Sequence, residues 1–217
     1  MKKYLLIILL ITSVCYYGCK KDPANSGQSS TNSYMPVTNG SNWTYINASQ
    51  DFSDTVNVTM NSATAVVNGK TYFTANTLSK KTGSNAVYFY EANHVFALRS
   101  FNNYTNTILE LQLYNDTATV NSRWIYIPVD GGLIDSQPVR AISTIEQKDE
   151  TKLFAGKTFN NVIHTEVDIQ YDFGSGFRTS YIYDYYLARG IGILGYNLRA
   201  LGSTVVETQG ISTWTVK

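Results

Sequence analysis

Cysteine is almost missing from this chain of 217 residues, and both copies, Cys15 and Cys19, fall near its start. Nothing beyond them can form a disulfide or a thiolate metal site. Histidine is equally scarce. His94 and His164 stand apart, with no His-x-His or His-x-x-x-His spacing from which to build a zinc site. Charged residues make up only 15%, with 17 basic against 16 acidic, and this near-balance lacks the basic face that a nucleic-acid partner requires. No Gly-x-Ser-x-Gly elbow is present, and no cysteine nucleophile lies beyond the leader. The longest apolar run, from Tyr4 to Val14, has about 11 residues, short of the ~20 that a membrane-spanning helix needs.

What that run does make is an export leader. Lys2 and Lys3 precede it and Gly18-Cys19 closes it, the layout of a signal peptide. Residues 1–18 are read as the leader, with cleavage leaving Cys19 as a lipidated N-terminus. Gly18 and Cys19 resemble the lipobox of bacterial lipoproteins, while Tyr16 and Tyr17 stand where that pattern has smaller residues. Residues 19–34 are then lipidated cysteine and tether. From Lys20 to Asn32 no apolar side chain exceeds alanine or proline in size, so the stretch cannot bury enough surface to offset its ordering entropy. Residues 35–217 are read as a single β-domain of about 180 residues.

Within that domain the period is two. Val56, Val58 and Met60 alternate with Asn57 and Thr59; Leu109, Leu111 and Leu113 alternate with Glu110 and Gln112. Thr165, Val167, Ile169 and Tyr171 oppose His164, Glu166, Asp168 and Gln170. Alternation of this kind puts one face on a core and one in water, the mark of an antiparallel strand. Asn68-Gly69 is a strong hairpin turn, with weaker ones at Asn93-His94 and Gly174-Ser175-Gly176. Val139–Ile145 has spacing that also suits a helix and is read as a strand. The predicted architecture is all-β and antiparallel, a strongly curved sheet, half-barrel or barrel.

An internal echo suggests two similar meander halves. Trp43-Thr44-Tyr45 reappears as Trp124-Ile125-Tyr126, Gly69-Lys70-Thr71-Tyr72 as Gly156-Lys157-Thr158-Phe159, and Tyr88-Phe89-Tyr90 as Tyr183-Asp184-Tyr185. The order is kept and the offset grows steadily, as loop insertions would produce. Chance similarity between tyrosine-rich strands is the alternative.

Three motifs carry a family resemblance: Pro36 followed by Gly40-Ser41-Asn42-Trp43-Thr44-Tyr45, then Ala155-Gly156-Lys157-Thr158-Phe159-Asn160-Asn161-Val162, then Tyr186-Leu187-Ala188-Arg189-Gly190-Ile191-Gly192-Ile193. In this order they resemble a family of small exported lipoproteins of the Bacteroidota type. The resemblance implies a curved antiparallel sheet similar to lipoprotein-carrier half-barrels, and no catalytic residue comes with it. Trp43 would pack and the glycines would bend strands.

Gly190-x-Gly192-x-x-Gly195 has the letters of a dinucleotide fingerprint but no room for the βαβ unit that fingerprint needs. Glycines in a β context instead mark bulges or close backbone approach. His164, Glu166 and Asp168 share one strand face and are read as solvated rather than as a cation site. Tyr181, Tyr183 and Tyr185 line one strand face and are the candidate ligand-binding residues, with core filling as the alternative. Asp54-Thr55-Val56 and Asp116-Thr117-Ala118 resemble sites of O-glycosylation, placing candidate glycans on Thr55 and Thr117. No cofactor or metal is expected. The functional expectation is an envelope structural or protein-interaction module, non-enzymatic and held on the membrane through lipid on Cys19. The alternatives are a binder of a lipid-like or sugar ligand and a hydrolase with an unrecognised carboxylate pair. Lys20 after Cys19 suits sorting to the outer membrane, with the leaflet left open.

Overall fold

A computed structural model of the chain describes residues 33–49, 52–103, 105–203 and 206–217. The leader, Cys19 and the tether up to residue 32 lie outside these described residues. The first half comprises β1 (Asn42–Ser49), β2 (Phe52–Val67), β3 (Lys70–Ser79), β4 (Gly83–Ala92), β5 (Val95–Asn102) and β6 (Thr107–Asn115). The second comprises β7 (Arg123–Tyr126), a 3-10 turn at Asp130–Gly132 and β8 (Leu133–Ile134). It continues with β9 (Gln137–Phe154), β10 (Lys157–Asp172), β11 (Phe177–Ala188), β12 (Gly192–Ala200) and β13 (Val206–Thr215).

All pairings are antiparallel, in the order β6-β5-β4-β3-β2-β1-β13-β12-β11-β10-β9-β7, with β8 a short addition to β9. Two six-strand meanders are thus joined through β1 and β13 and curl until β6 faces the β7–β9 edge. The sheet is a nearly closed barrel with one seam. The internal echo falls on equivalent elements: Trp43 and Trp124 on the first strand of each half, Gly69 and Gly156 at the first long hairpin turn, and the tyrosine triplets on β4 and β11.

The seam is bridged by side chains where a ladder would otherwise run. Gln112 N donates to the Tyr126 hydroxyl at 3.0 Å, and the Ser143 hydroxyl donates to the Gln112 carbonyl at 2.6 Å. One backbone bond, Glu110 N to Pro128 O at 2.8 Å, also crosses. Buried backbone groups at an open edge must find such partners.

Turn chemistry fixes the hairpins. Asn68-Gly69, Asn93-His94 and Ala155-Gly156 all carry two consecutive positive φ values, the primed-turn geometry that matches strand twist. Val139–Ile145 lies within β9, a strand as expected. The β9–β10 hairpin overruns the barrel, and register shifts between Phe159 and Thr165 let it bend outward. Its Phe154 ring then lies beside Tyr186, and Phe159 beside Trp214, at 4.9 and 5.6 Å between centroids.

One end of the barrel is closed. Ser33–Val37 crosses it, with Tyr34, Met35 and Val37 buried. Ser33 and Tyr34, placed in the tether by the sequence reading, are held here. The Ser33 carbonyl accepts from Gly190 N at 2.8 Å, and the Tyr34 hydroxyl donates to Asp149 at 2.8 Å. Trp43 and Tyr45 fasten the turn above: the indole donates to Ile191 O at 2.7 Å and the phenol to Ile193 O at 2.8 Å. The Gly-x-x-Trp-x-Tyr and Gly-x-Gly segments therefore meet in space. Gly192 passes against Pro36, and Gly195 against its β13 neighbour, where a Cβ would sit 1.9 Å from the Gln209 carbonyl oxygen. The G-x-G-x-x-G letters record close backbone approach in an antiparallel hairpin, with no phosphate-binding helix following.

Candidate functional site

The opposite end is hollow. Above a floor of Tyr45, Phe89 and Ile193 lies an open cavity of about 230 Å³, with Thr82 after β3 and Asn103 after β5 among its lining residues. Strict alternation supplies its wall: Val56 and Val58 from β2, Leu109 and Leu111 from β6, Tyr183 and Tyr185 from β11.

Register then assembles one continuous rung across five strands. Tyr185 pairs with Tyr196, Tyr196 with Gln209, Gln209 with Asn47, and Asn47 with Asp54. Along it the Gln209 amide donates to Asn47 at 2.9 Å, and the Tyr185 and Tyr196 rings lie 5.3 Å apart. The Tyr196 hydroxyl donates to the Glu207 carboxylate at 2.6 Å. Asp54, buried at the edge of the wall, accepts from the Ser79 hydroxyl at 2.5 Å and from Thr55 N at 2.7 Å. The Ser79 bond and the backbone N–H groups of Thr55, Lys80 and Lys81 hold the Asp54 carboxyl below its ordinary value, against the effect of burial. Burial, with Tyr183 and Glu207 adding to it, pushes the Tyr185 phenol well above its own; burial and the Glu207 charge do the same to Tyr196. Both rings stay neutral at any physiological pH. The Tyr185 hydroxyl makes no hydrogen bond with the described residues, although the residue is only 4% exposed.

Of the three tyrosines singled out from sequence, Tyr183 and Tyr185 line the cavity and Tyr181 does not; it packs, partly buried, against the core near Tyr171. Tyr181 pairs with Ile169 of β10, beside a register shift between Ile169 and Gln170, and lies beyond the cavity's lining. Tyr183 and Tyr185 are also more enclosed than residues on an open sheet face, because the barrel curls over them. The sequence reading missed Tyr196, Asn47, Gln209 and Glu207. Each sits at an alternating position, but which strands meet across the closure was not legible locally.

The remaining candidates lie elsewhere. His164 shares a hydrogen bond of 2.9 Å with Asp184, and Arg199 bonds both Asp184 and Glu166, at 3.0 and 3.1 Å. The guanidinium occupies the place a cation would take on that outer face, and no three-ligand metal cluster exists among the described residues. Burial raises the Asp168 carboxyl, with Arg123 and Arg199 opposing it. His94 lies in its hairpin turn, bonded to Asp116. Thr55 is half-buried in mid-strand, whereas Thr117 is exposed on the loop after β6, its hydroxyl donating to Asn115.

No family model and no curated protein matches the chain. Two solved structures resemble it. A "putative exported protein with YmcC-like fold" from Bacteroides fragilis NCTC 9343 superposes with a TM-score of 0.52 at 10% identity, over 85% of this chain and 99% of that one. A "putative lipoprotein" from Parabacteroides distasonis ATCC 8503 does so with a TM-score of 0.50, at the same identity and coverage. The likeness is one of fold. At this identity it carries no residue roles across, so the cavity's chemistry rests on this chain alone.

Proposed function

We propose that this is a non-enzymatic, lipid-anchored envelope protein that binds a small ligand in the mouth of its barrel. The hollow upper half carries the reading. A scaffold would fill its interior, as the lower half does with Met60, Leu113, Ile163 and Leu187. The upper half instead keeps an open space with tyrosines and paired amides on its wall, the mixture typical of a ligand site. Amide and carboxylate groups along the rung favour a polar headgroup or a sugar over a bare acyl chain.

Anchoring through Cys19 is supported by the leader and by the fold relatives' descriptions as an exported protein and a lipoprotein, and the outer membrane by Lys20 directly after Cys19. Cys19→Ala is expected to release the protein from the membrane fraction, and unchanged fractionation would contradict the anchor. Thr117 is the better placed of the two glycan candidates, and intact mass from the native host tests it.

For the ligand site the test is Val87→Trp, which puts an indole into the hollow from a half-buried wall position. Saturation-transfer NMR against small sugars, amines and short fatty acids is expected to show binding that this variant removes while the fold remains. No binding by any class, or binding unaffected by the indole, contradicts the site.

A second reading, a protein-partner module, draws on the open groove between the overhanging β9–β10 tip and the outer face of β1 and β13. Ile46 and Phe154 form part of its lining, and Ile46 is 42% exposed.

A further inference from the structure

The geometry points to a small organic cation as the ligand class, a substituted ammonium group seated in the barrel mouth against Tyr183, Tyr185 and Tyr196, with Glu207 and Asp54 as its counter-charges. This rests on the ligand-binding reading above and narrows it. Three observations converge. First, Glu207 is the one charged side chain among the described residues that line the cavity, and it is negative. Asp54, one strand beyond Asn47 on the same rung, adds a second carboxylate at the rim. Second, no Lys or Arg among the described residues lines the wall. The lysines nearest in sequence, Lys80 and Lys81, sit on the β3–β4 turn with exposed side chains outside it. A concave, low-dielectric wall carrying one sign of charge concentrates the opposite sign within. Third, Tyr183, Tyr185 and Tyr196 cluster within 5.3–5.9 Å of one another on that same wall. Aromatic quadrupoles attract ammonium groups, most strongly where water is displaced.

A neutral sugar would use the Asn47–Gln209 amides equally well but would gain nothing from the carboxylates. That difference supplies the test. Choline and its uncharged isostere 3,3-dimethyl-1-butanol have nearly the same shape, so a titration of the full chain with each isolates charge. Choline is expected to bind at least tenfold more tightly than the isostere. Glu207→Gln, which keeps the acceptor for Tyr196 and removes the charge, is expected to weaken choline about tenfold and to leave the isostere unchanged. Added salt should weaken choline alone. Equal affinities, choline insensitive to Glu207→Gln, or no choline binding at all would overturn the cation assignment. If Val87→Trp still removes the binding of some other probe, the ligand site survives that result. If Val87→Trp spares every bound probe, the site itself fails.

Discussion

Thr165 carries a hydroxyl that the barrel interior does not use. It faces the core from β10, fully buried, and its Oγ1 has no hydrogen-bond partner among the described residues. An orphaned buried hydroxyl costs about 1–3 kcal/mol, whereas an isosteric methyl costs nothing of that kind. Thr165→Val is therefore expected to stabilise the protein by about 1–2 kcal/mol in urea unfolding. Gly195 is the opposite case. Its φ of +144° and the Gln209 carbonyl leave no room for a side chain. Gly195→Ala is expected to cost about 3 kcal/mol or more, since the clash is with backbone and must move β12 from β13. At Gly83, where φ is +80° and the surrounding space is open, the same change should cost only about 1 kcal/mol. Equal losses at the two positions in thermal melts would contradict the close approach.

At the scale of elements, the seam between β6 and β7 is the weak join of the barrel. Tyr126→Phe would leave the Gln112 N–H without its acceptor, and Ser143→Ala would strip the Gln112 carbonyl. Each is expected to cost about 1–2 kcal/mol, with the double variant costing less than the sum because both serve one residue. Faster hydrogen exchange at the Gln112 amide, with amides of β2 unaffected, is the matching local signature.

The strands themselves were legible in the sequence, because side-chain alternation along Val56–Met60, Leu109–Leu113 and Thr165–Tyr171 is a local signal. So were the Asn68-Gly69 turn and the element-by-element echo. The seam was not legible. Nothing in Arg123–Tyr126 or Thr107–Asn115 says that these two edges face each other unpaired, since closure depends on the accumulated twist of the intervening strands. The same holds for the binding rung. Tyr183 and Tyr185 could be picked as aromatics on one strand, but their neighbours Tyr196, Gln209 and Asn47 come together only through register across β11–β12–β13–β1. Tyr181, two residues away on the same face, carries the same aromatic signal in sequence but lies beyond the cavity's lining.

For the whole molecule, tyrosine burial sets the alkaline limit. Burial raises the Tyr45, Tyr126, Tyr185 and Tyr196 phenols above their ordinary value of 10.0. The folded state then keeps protons that the unfolded chain releases. The sign follows from linkage: this stability is fully present below pH ~10 and falls as pH rises beyond it. Phenolate absorbance is expected to rise in two steps, exposed rings first and the buried group together with loss of near-ultraviolet dichroism. A single step at the ordinary value, with the fold intact, would contradict the burial.

The claim on which the functional reading depends is that the barrel is hollow at one end and ligand-competent there. Methyl-resolved NMR of the full chain titrated with choline tests it most directly. Shifts are expected at mouth-wall methyls, Val56, Val87, Leu109 and Leu111, with Ile163 and Leu187 of the filled end unmoved. Shifts confined to the closed end or the outer face, or none with choline and none with any of the sugar, amine and fatty-acid probes, would contradict it.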